Sequence, residues 1–299
     1  MEFLGVWDIR VTIDLFLGGI GIGAFLWSVL ASYRNRPYDA HIVRIGGLLA
    51  PLAVGLGLLI LTTKLGRVQN IWAVATGVYT DSMMYIGMFL QGGFMLVSIL
   101  YALRLISAEP RFDQTMRIIQ IVGAVLAIGV GLYHGLLLTD MERVLWTALV
   151  PVIFLVSSLV GGLAAILLIQ TGIPDPQDNF LMARDERTGI MSYAVGLLLV
   201  QLLVVLVWQY QVVRSGLEAQ LSYEFFMENF RGMWWLTLLV GTLIPTGALA
   251  AALFPERRYL NKALIAAVSV LIILGGFGLK HLIILGGQIA VPMEMISPF

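Results

Sequence analysis

Cysteine is absent from the 299 residues, and only three histidines are present. The first absence excludes disulfides, thiolate-held iron–sulfur clusters and cysteine nucleophiles within the chain. The second leaves few ways to hold haem or zinc. Charge is scarce as well: 12% of residues are charged, against roughly 25% in a soluble domain. The 18 basic and 18 acidic side chains cancel, so net charge points to no partner. What is abundant is apolar surface, with 59% of residues hydrophobic. Thirty-six charged side chains cannot cover a water-facing surface of this size, so the excess must face lipid. Eight spans of about 20 residues fit the length and leave little for an extramembrane domain. Soluble chemistry therefore falls to a partner protein.

Apolar windows separated by polar breaks predict an all-α polytopic membrane protein with eight transmembrane helices, at 11–32, 45–63, 82–106, 118–138, 143–169, 190–213, 232–253 and 260–284. The stretch 64–81 is amphipathic and aromatic, too polar to span, and is expected on the membrane surface. Glu2 and Asp8 stand where a signal peptide would be basic, so the first apolar segment reads as a retained helix. The chain 1–299 reads as one membrane domain, and a short turn at Thr139–Glu142 allows four-helix halves at 11–138 and 143–284. Basic residues are uneven between the two sets of connections, eleven on one side and seven on the side with both termini. The positive-inside rule then places both termini outside a bacterial or archaeal cytoplasmic membrane, in the periplasm of a Gram-negative cell.

The ionisable groups within the spans concentrate at one depth. Asp14 lies six residues, about 9 Å, below the start of the first helix at Asp8. His134 sits at a similar depth below the outer end of the fourth helix. Lys280 and His281 lie near the outer end of the eighth, and Lys64 closes the second. A charge in this zone faces protein or water and commonly marks function. Simpler roles remain open: Asp14 neutralising Lys64 or Lys280, His134 bonding a carbonyl, Lys280 snorkelling to the interface. Glycine clusters serve close helix packing, and the one from Gly18 to Gly23 beside Asp14 also leaves room for a flat ligand. His134 and His281 form the one deep histidine pair. They permit a single haem geometrically, but not a two-haem wire.

A quinone suits this cluster. Its carbonyls accept hydrogen bonds, its ring needs an apolar slot, and its redox chemistry moves two protons. Asp14 and His134 can exchange protons, and Tyr133 can orient a ring or donate to an oxygen.

The segment WDIRVTIDLFLGGIGIGAFLWSVL, in which Asp14 precedes LFLGGIGIGAF, resembles the first helix of the NrfD/PsrC family. Those proteins are polytopic subunits of iron–sulfur/molybdopterin oxidoreductases. Looser similarity follows in PVIFLVSSLVGGLAA and GGFGLKHLIILGGQ, so the resemblance extends over nearly the whole chain. It implies two four-helix bundles and no haem or cluster in this protein. It also implies a quinone, menaquinone or ubiquinone, near a surface met by a multi-cluster iron–sulfur subunit. That partner would contact a catalytic subunit of the molybdopterin kind. Beyond these, the expected surroundings are membrane lipid, with no nucleic acid. The resemblance maps the ligand position of the first helix to Asp14 and that of the fourth to Tyr133 or His134, without choosing between them. Lys64 and Tyr79 carry over more weakly. The basic position of the last helix is Lys280, where relatives often have Arg, a change that keeps the charge and loses the guanidinium fork.

The expected function is that of a quinone-reactive subunit of a respiratory oxidoreductase, exchanging electrons with an outer iron–sulfur partner, quinol oxidation being favoured. Asp14 and His134 are the expected proton-exchanging residues. Asp14, Gly18, Lys64, Tyr133, His134 and Lys280 are expected to bind the quinone, with no metal site. The alternatives are a noncatalytic membrane anchor and a secondary transporter. Gln91, Gln120, Gln201 and Gln209 are the uncharged polar residues deep in spans, and they provide no acidic path for pumping.

Overall fold

The computed structural model describes residues 2–3, 7–34, 39–63, 82–107, 113–173, 184–253 and 262–290. Lys64, Tyr79 and the amphipathic stretch 64–81 lie outside the described residues. Among the described residues, eight helices are long and apolar enough to cross a membrane, and the protein is a multi-pass, all-helical membrane protein. They are α1 (Ile9–Arg34), α2 (Asp39–Thr62), α3 (Met83–Ile106), α4 (Gln114–Thr139), α5 (Val150–Gly172), α6 (Arg184–Arg214), α7 (Leu217–Leu253) and α8 (Lys262–Gly286). Two-residue strands, β1 (Glu2–Phe3) and β2 (Ile289–Ala290), pair antiparallel and bring residues near the two ends of the sequence together. They mark one end of the bundle, the strand end.

Two boundaries differ most from the hydropathy expectation. The fifth helix begins at Val150 rather than 143, because residues 141–149 form successive turns. These turns bury Leu145 and Trp146. Trp146 Nε1 donates to the Ile283 carbonyl at 2.9 Å, and Trp208 Nε1 donates to the Leu145 carbonyl at 3.1 Å. The expected short turn at Thr139–Glu142 is thus the start of a longer, packed connection, with Glu142 in the left-handed region at φ 52°. The seventh helix begins at Leu217 rather than 232 and runs for 37 residues. At 1.5 Å per residue it is about 55 Å long, well beyond a 30 Å hydrocarbon core. Gly216, at φ 135°, makes the sharp turn between α6 and α7 that a side chain would strain.

α1 and α5 are the central helices: 72% of the spanning window of each is buried, against 33–44% for the others. The sequence explains this. Gly23 of α1 and Gly162 of α5 meet backbone to backbone, and a Cβ on either would fall on the other helix's main chain. In lipid, where apolar surface gains little from burial, this close van der Waals approach holds helices together. α1 packs on α2, α4, α5 and α8, while α5 also reaches α2, α4, α6 and α8.

α7 contains one π-helical turn, Leu239–Leu243, closed by the Ile244 N–H donating to the Leu239 carbonyl. Pro245 supplies the cause: it has no N–H for the Gly241 carbonyl, so the ladder skips a residue. Gly241 here lies against Gly275 of α8.

Candidate functional site

α1, α2, α3 and α4 converge on one buried polar spot toward the strand end. Asp14 of α1 is 4% exposed, and its Oδ1 is enclosed without a hydrogen-bond partner. α2 approaches it closely because residue 57 is glycine: a Cβ there would stand 2.9 Å from Oδ1. His134 of α4 is fully buried, and neither ring nitrogen has a partner. Its ring points at Gly18, one turn along α1 from Asp14, where a Cβ would come within 2.8 Å of Cε1. Tyr133, next on α4, is also buried and lays its ring over Gly87 of α3. The Tyr133 and His134 ring centroids are 6.1 Å apart. Both residues therefore face protein.

Lys280 enters from α8 and is 1% exposed. Its Nζ donates to the Leu15 carbonyl at 3.0 Å and to Ser158 Oγ at 3.1 Å, and lies 5.2 Å from the Phe154 ring centre. Gly19 leaves the space that the ammonium fills. Among the described residues no ion pair within 4 Å joins Asp14 to Lys280, yet the two interact electrostatically. Buried charge without contact neutralisation is expensive.

The structure thus brings Asp14, Gly18 and His134 together, places Tyr133 beside them, and holds Lys280 at the α1–α5–α8 junction. Lys64 lies outside the described residues. His281 faces elsewhere: its Nδ1 is 3.1 Å from Thr12 Oγ1 and its ring stacks on Phe277. Sequence reasoning missed three contributors. Gln91, one turn from Gly87 on α3, has a buried amide nitrogen without a partner. Gly57 admits α2 to the carboxylate, and Ser158 holds Lys280. The pair Ser157–Ser158 before Gly161–Gly162, inside an otherwise apolar span, was the available signal for the last.

One turn farther from the strand end, each of the four helices contributes an apolar residue with no exposed surface: Ile22, Val54, Phe94 and Val130. Phe25 packs edge-on against Phe94, with centroids 5.4 Å apart. This layer floors the site. Among the described residues, no group of three His, Asp or Glu side chains could hold a metal ion.

The family described as polysulphide reductase, NrfD, matches residues 2–292. The chain belongs to the NrfD family. A polysulfide reductase subunit of Wolinella succinogenes is 30% identical over 55% of this protein and 58% of its own length. Protein NrfD of Escherichia coli is 31% identical over 56% and 60%. The alignment spans less than two thirds of either relative's length. A Haemophilus influenzae NrfD homolog is 24% identical, but over 96% of this protein and 95% of its own. Membership thus covers the eight-helix body, and the family is one of membrane subunits of oxidoreductase complexes.

Proposed function

We propose that this NrfD-family protein is the quinone-reactive subunit of a respiratory oxidoreductase, and that the Asp14–Gly18–Tyr133–His134 site receives the quinone head. One observation carries the reading. Asp14 Oδ1, Gln91 Nε2 and both His134 nitrogens are buried and unpartnered within the first four helices. Leaving such an atom unmet costs about 1–3 kcal/mol each. A flat ligand with hydrogen-bonding oxygens would satisfy them. Gly18, Gly57 and Gly87 let the His134 ring, the Asp14 carboxylate and the Tyr133 ring pack directly against the facing helices.

When bound, a menaquinol or ubiquinol supplies two electrons and two protons. His134 donates a hydrogen bond to an oxygen of the head from whichever nitrogen carries its proton, and Gln91 Nε2 supplies a second donor. The Tyr133 hydroxyl fixes the ring's orientation. Asp14 takes and returns a proton at its carboxylate. The Ile22–Val54–Phe94–Val130 layer denies protons a route to the far end, so exchange runs toward the strand end. Lys280 compensates the carboxylate's charge through the interior. Electrons leave for an iron–sulfur partner on the outer face, which passes them to a catalytic subunit, and quinol oxidation is the favoured direction. Both termini lie outside the cytoplasmic membrane.

The test uses the purified complex. Bound quinone is extracted and measured, and quinol is added while the partner's clusters are followed by EPR. Cluster reduction that depends on this subunit supports the reading. Competent clusters that quinol never reduces reject quinol oxidation, and quinone-independent assembly and turnover leave only an anchor.

A further inference from the structure

Outside the polar site, a groove of about 460 Å³ opens on the lipid-facing seam between α3 and α4, lined by Tyr85, Ile86, Phe89, Leu90 and Leu126. Its floor is shaped by missing side chains. A Cβ on Gly129 would meet Leu90 at 3.2 Å, and one on Gly93 would meet Leu126 at 3.8 Å. Tyr85 and Phe89 stand edge to face on the rim, with centroids 4.9 Å apart.

The groove lies on the same α3–α4 seam as the Tyr133 ring, which separates it from the polar site. Leu126, Gly129 and Tyr133 form one stripe of α4 at helical spacing, and Ile86, Leu90 and Gly93 run along the facing side of α3. Gly87, which carries the Tyr133 ring, follows the rim residue Ile86 directly. Leu126 lies seven residues, about 10 Å, from Tyr133 in the direction away from the strand end. That places it near the middle of the span Gln114–Thr139. A seam that begins beside a polar head site and descends, mostly apolar, to mid-membrane matches an amphipath whose head stays near one surface while its tail hangs inward.

We infer that the α3–α4 groove seats the isoprenoid tail of the quinone, and that the lateral route between membrane and site runs along it past Tyr133. This rests on the quinone reading above. The tail's methyl branches pack on Leu90 and Leu126, which lie against Gly129 and Gly93, and the aromatic rim contacts its double bonds. The groove then sets preference for tail length, while head chemistry is read at Asp14, Tyr133 and His134.

The test compares two substrates in the intact complex: a naphthoquinol without a tail and the same head carrying four isoprene units. Leu126→Trp fills the floor, and Ile86→Trp narrows the rim from a position already 45% exposed, where a larger side chain does not threaten folding. Each variant should lower kcat/KM for the tetraprenyl substrate at least tenfold and change that for the tailless one less than twofold. Equal effects on both substrates, or on neither, overturn the groove. A wild-type complex that neither oxidises these quinols nor reduces the matching naphthoquinones rejects the quinone reading itself, and the groove with it. Independently of turnover, a tetraprenyl naphthoquinone with a diazirine on its tail is photolysed in the wild-type complex and the adducts are mapped. Labelling of α3 and α4 that excess unlabelled quinone suppresses supports the tail site. Labelling that no excess suppresses indicates a groove filled only by bulk lipid and overturns it, as does saturable labelling confined to other helices.

Discussion

Gly18→Ala adds one methyl group to the wall between Asp14 and His134, and the structure gives the size of the disturbance. The new Cβ would stand 2.8 Å from His134 Cε1, whereas ordinary contact begins near 3.4 Å, so the ring must retreat by about 0.6 Å. The obstacle is a side chain, not main chain, so the helices themselves need not part. Two terms oppose each other in stability. Alanine in a helix interior is favoured over glycine by about 1 kcal/mol, and overpacking costs about 1–3 kcal/mol. The net destabilisation is therefore only about 0–2 kcal/mol, and the complex should assemble. Turnover should suffer more, because misplacing a reacting group by about 1 Å can cost on the order of 100-fold. Gly23→Ala is the informative comparison, since its Cβ would strike the Ser158 carbonyl of α5 with no flexible group to yield. That variant should fail to accumulate. The assays are complex yield by quantitative blot and quinol-dependent cluster reduction per assembled complex. Wild-type turnover in Gly18→Ala would refute the placement of His134 in the reaction, and normal assembly of Gly23→Ala would refute the backbone contact.

Asp14→Asn keeps the shape and removes the proton-exchanging group, so assembly should persist while quinol turnover falls about 100-fold or more; unchanged turnover would dismiss the residue. Lys280→Met removes a buried charge that donates to Leu15 and Ser158. Because the Ser158 hydroxyl still donates to the Phe154 carbonyl, the apparent Tm of the complex should move little while turnover drops; a collapse in Tm with normal specific activity would make Lys280 purely structural. Trp146→Phe deletes the bond to the Ile283 carbonyl and should destabilise by about 1 kcal/mol, read as a lowered Tm. The cysteine-free background permits a topology test: Ser215→Cys, beside the α6–α7 turn, should react with an impermeant maleimide from outside, and Ser107→Cys only after permeabilisation. The reverse pattern would invert the orientation.

Hydropathy located every span because transmembrane helices must be both long and apolar, and it erred where those properties separate. Leu145 and Trp146 gave residues 143–149 an apolar look because they are buried in turns beside Trp208, not because they cross lipid. Residues 217–231 are polar yet helical, so only the deeper part of α7 registered as a span. At the site, depth arithmetic along separate helices sufficed to bring Asp14, His134 and Lys280 to one level. Rotation about each helix axis could not be read the same way, since one residue of phase is about 100°. Tyr133 and His134 both face inward because α4 is contacted from two directions, by Gly87 of α3 and Gly18 of α1. Gln91 looked like an isolated mid-span amide until α3 and α4 were seen to share a seam.

The π turn at Leu239–Leu243 has a consequence for how this helix can change over time. One residue inserted without a break rotates everything beyond it by about 100°. The upper part of α7 can therefore turn Trp234 toward Trp208, with Phe226 edge-on to Trp234, while the lower part keeps its own face toward α6 and α8. The two stretches are one helix mechanically but independent in phase. Lengthening the projecting stretch would leave the membrane-embedded packing untouched, whereas deleting a single residue such as Val240 would put one of the two faces out of register.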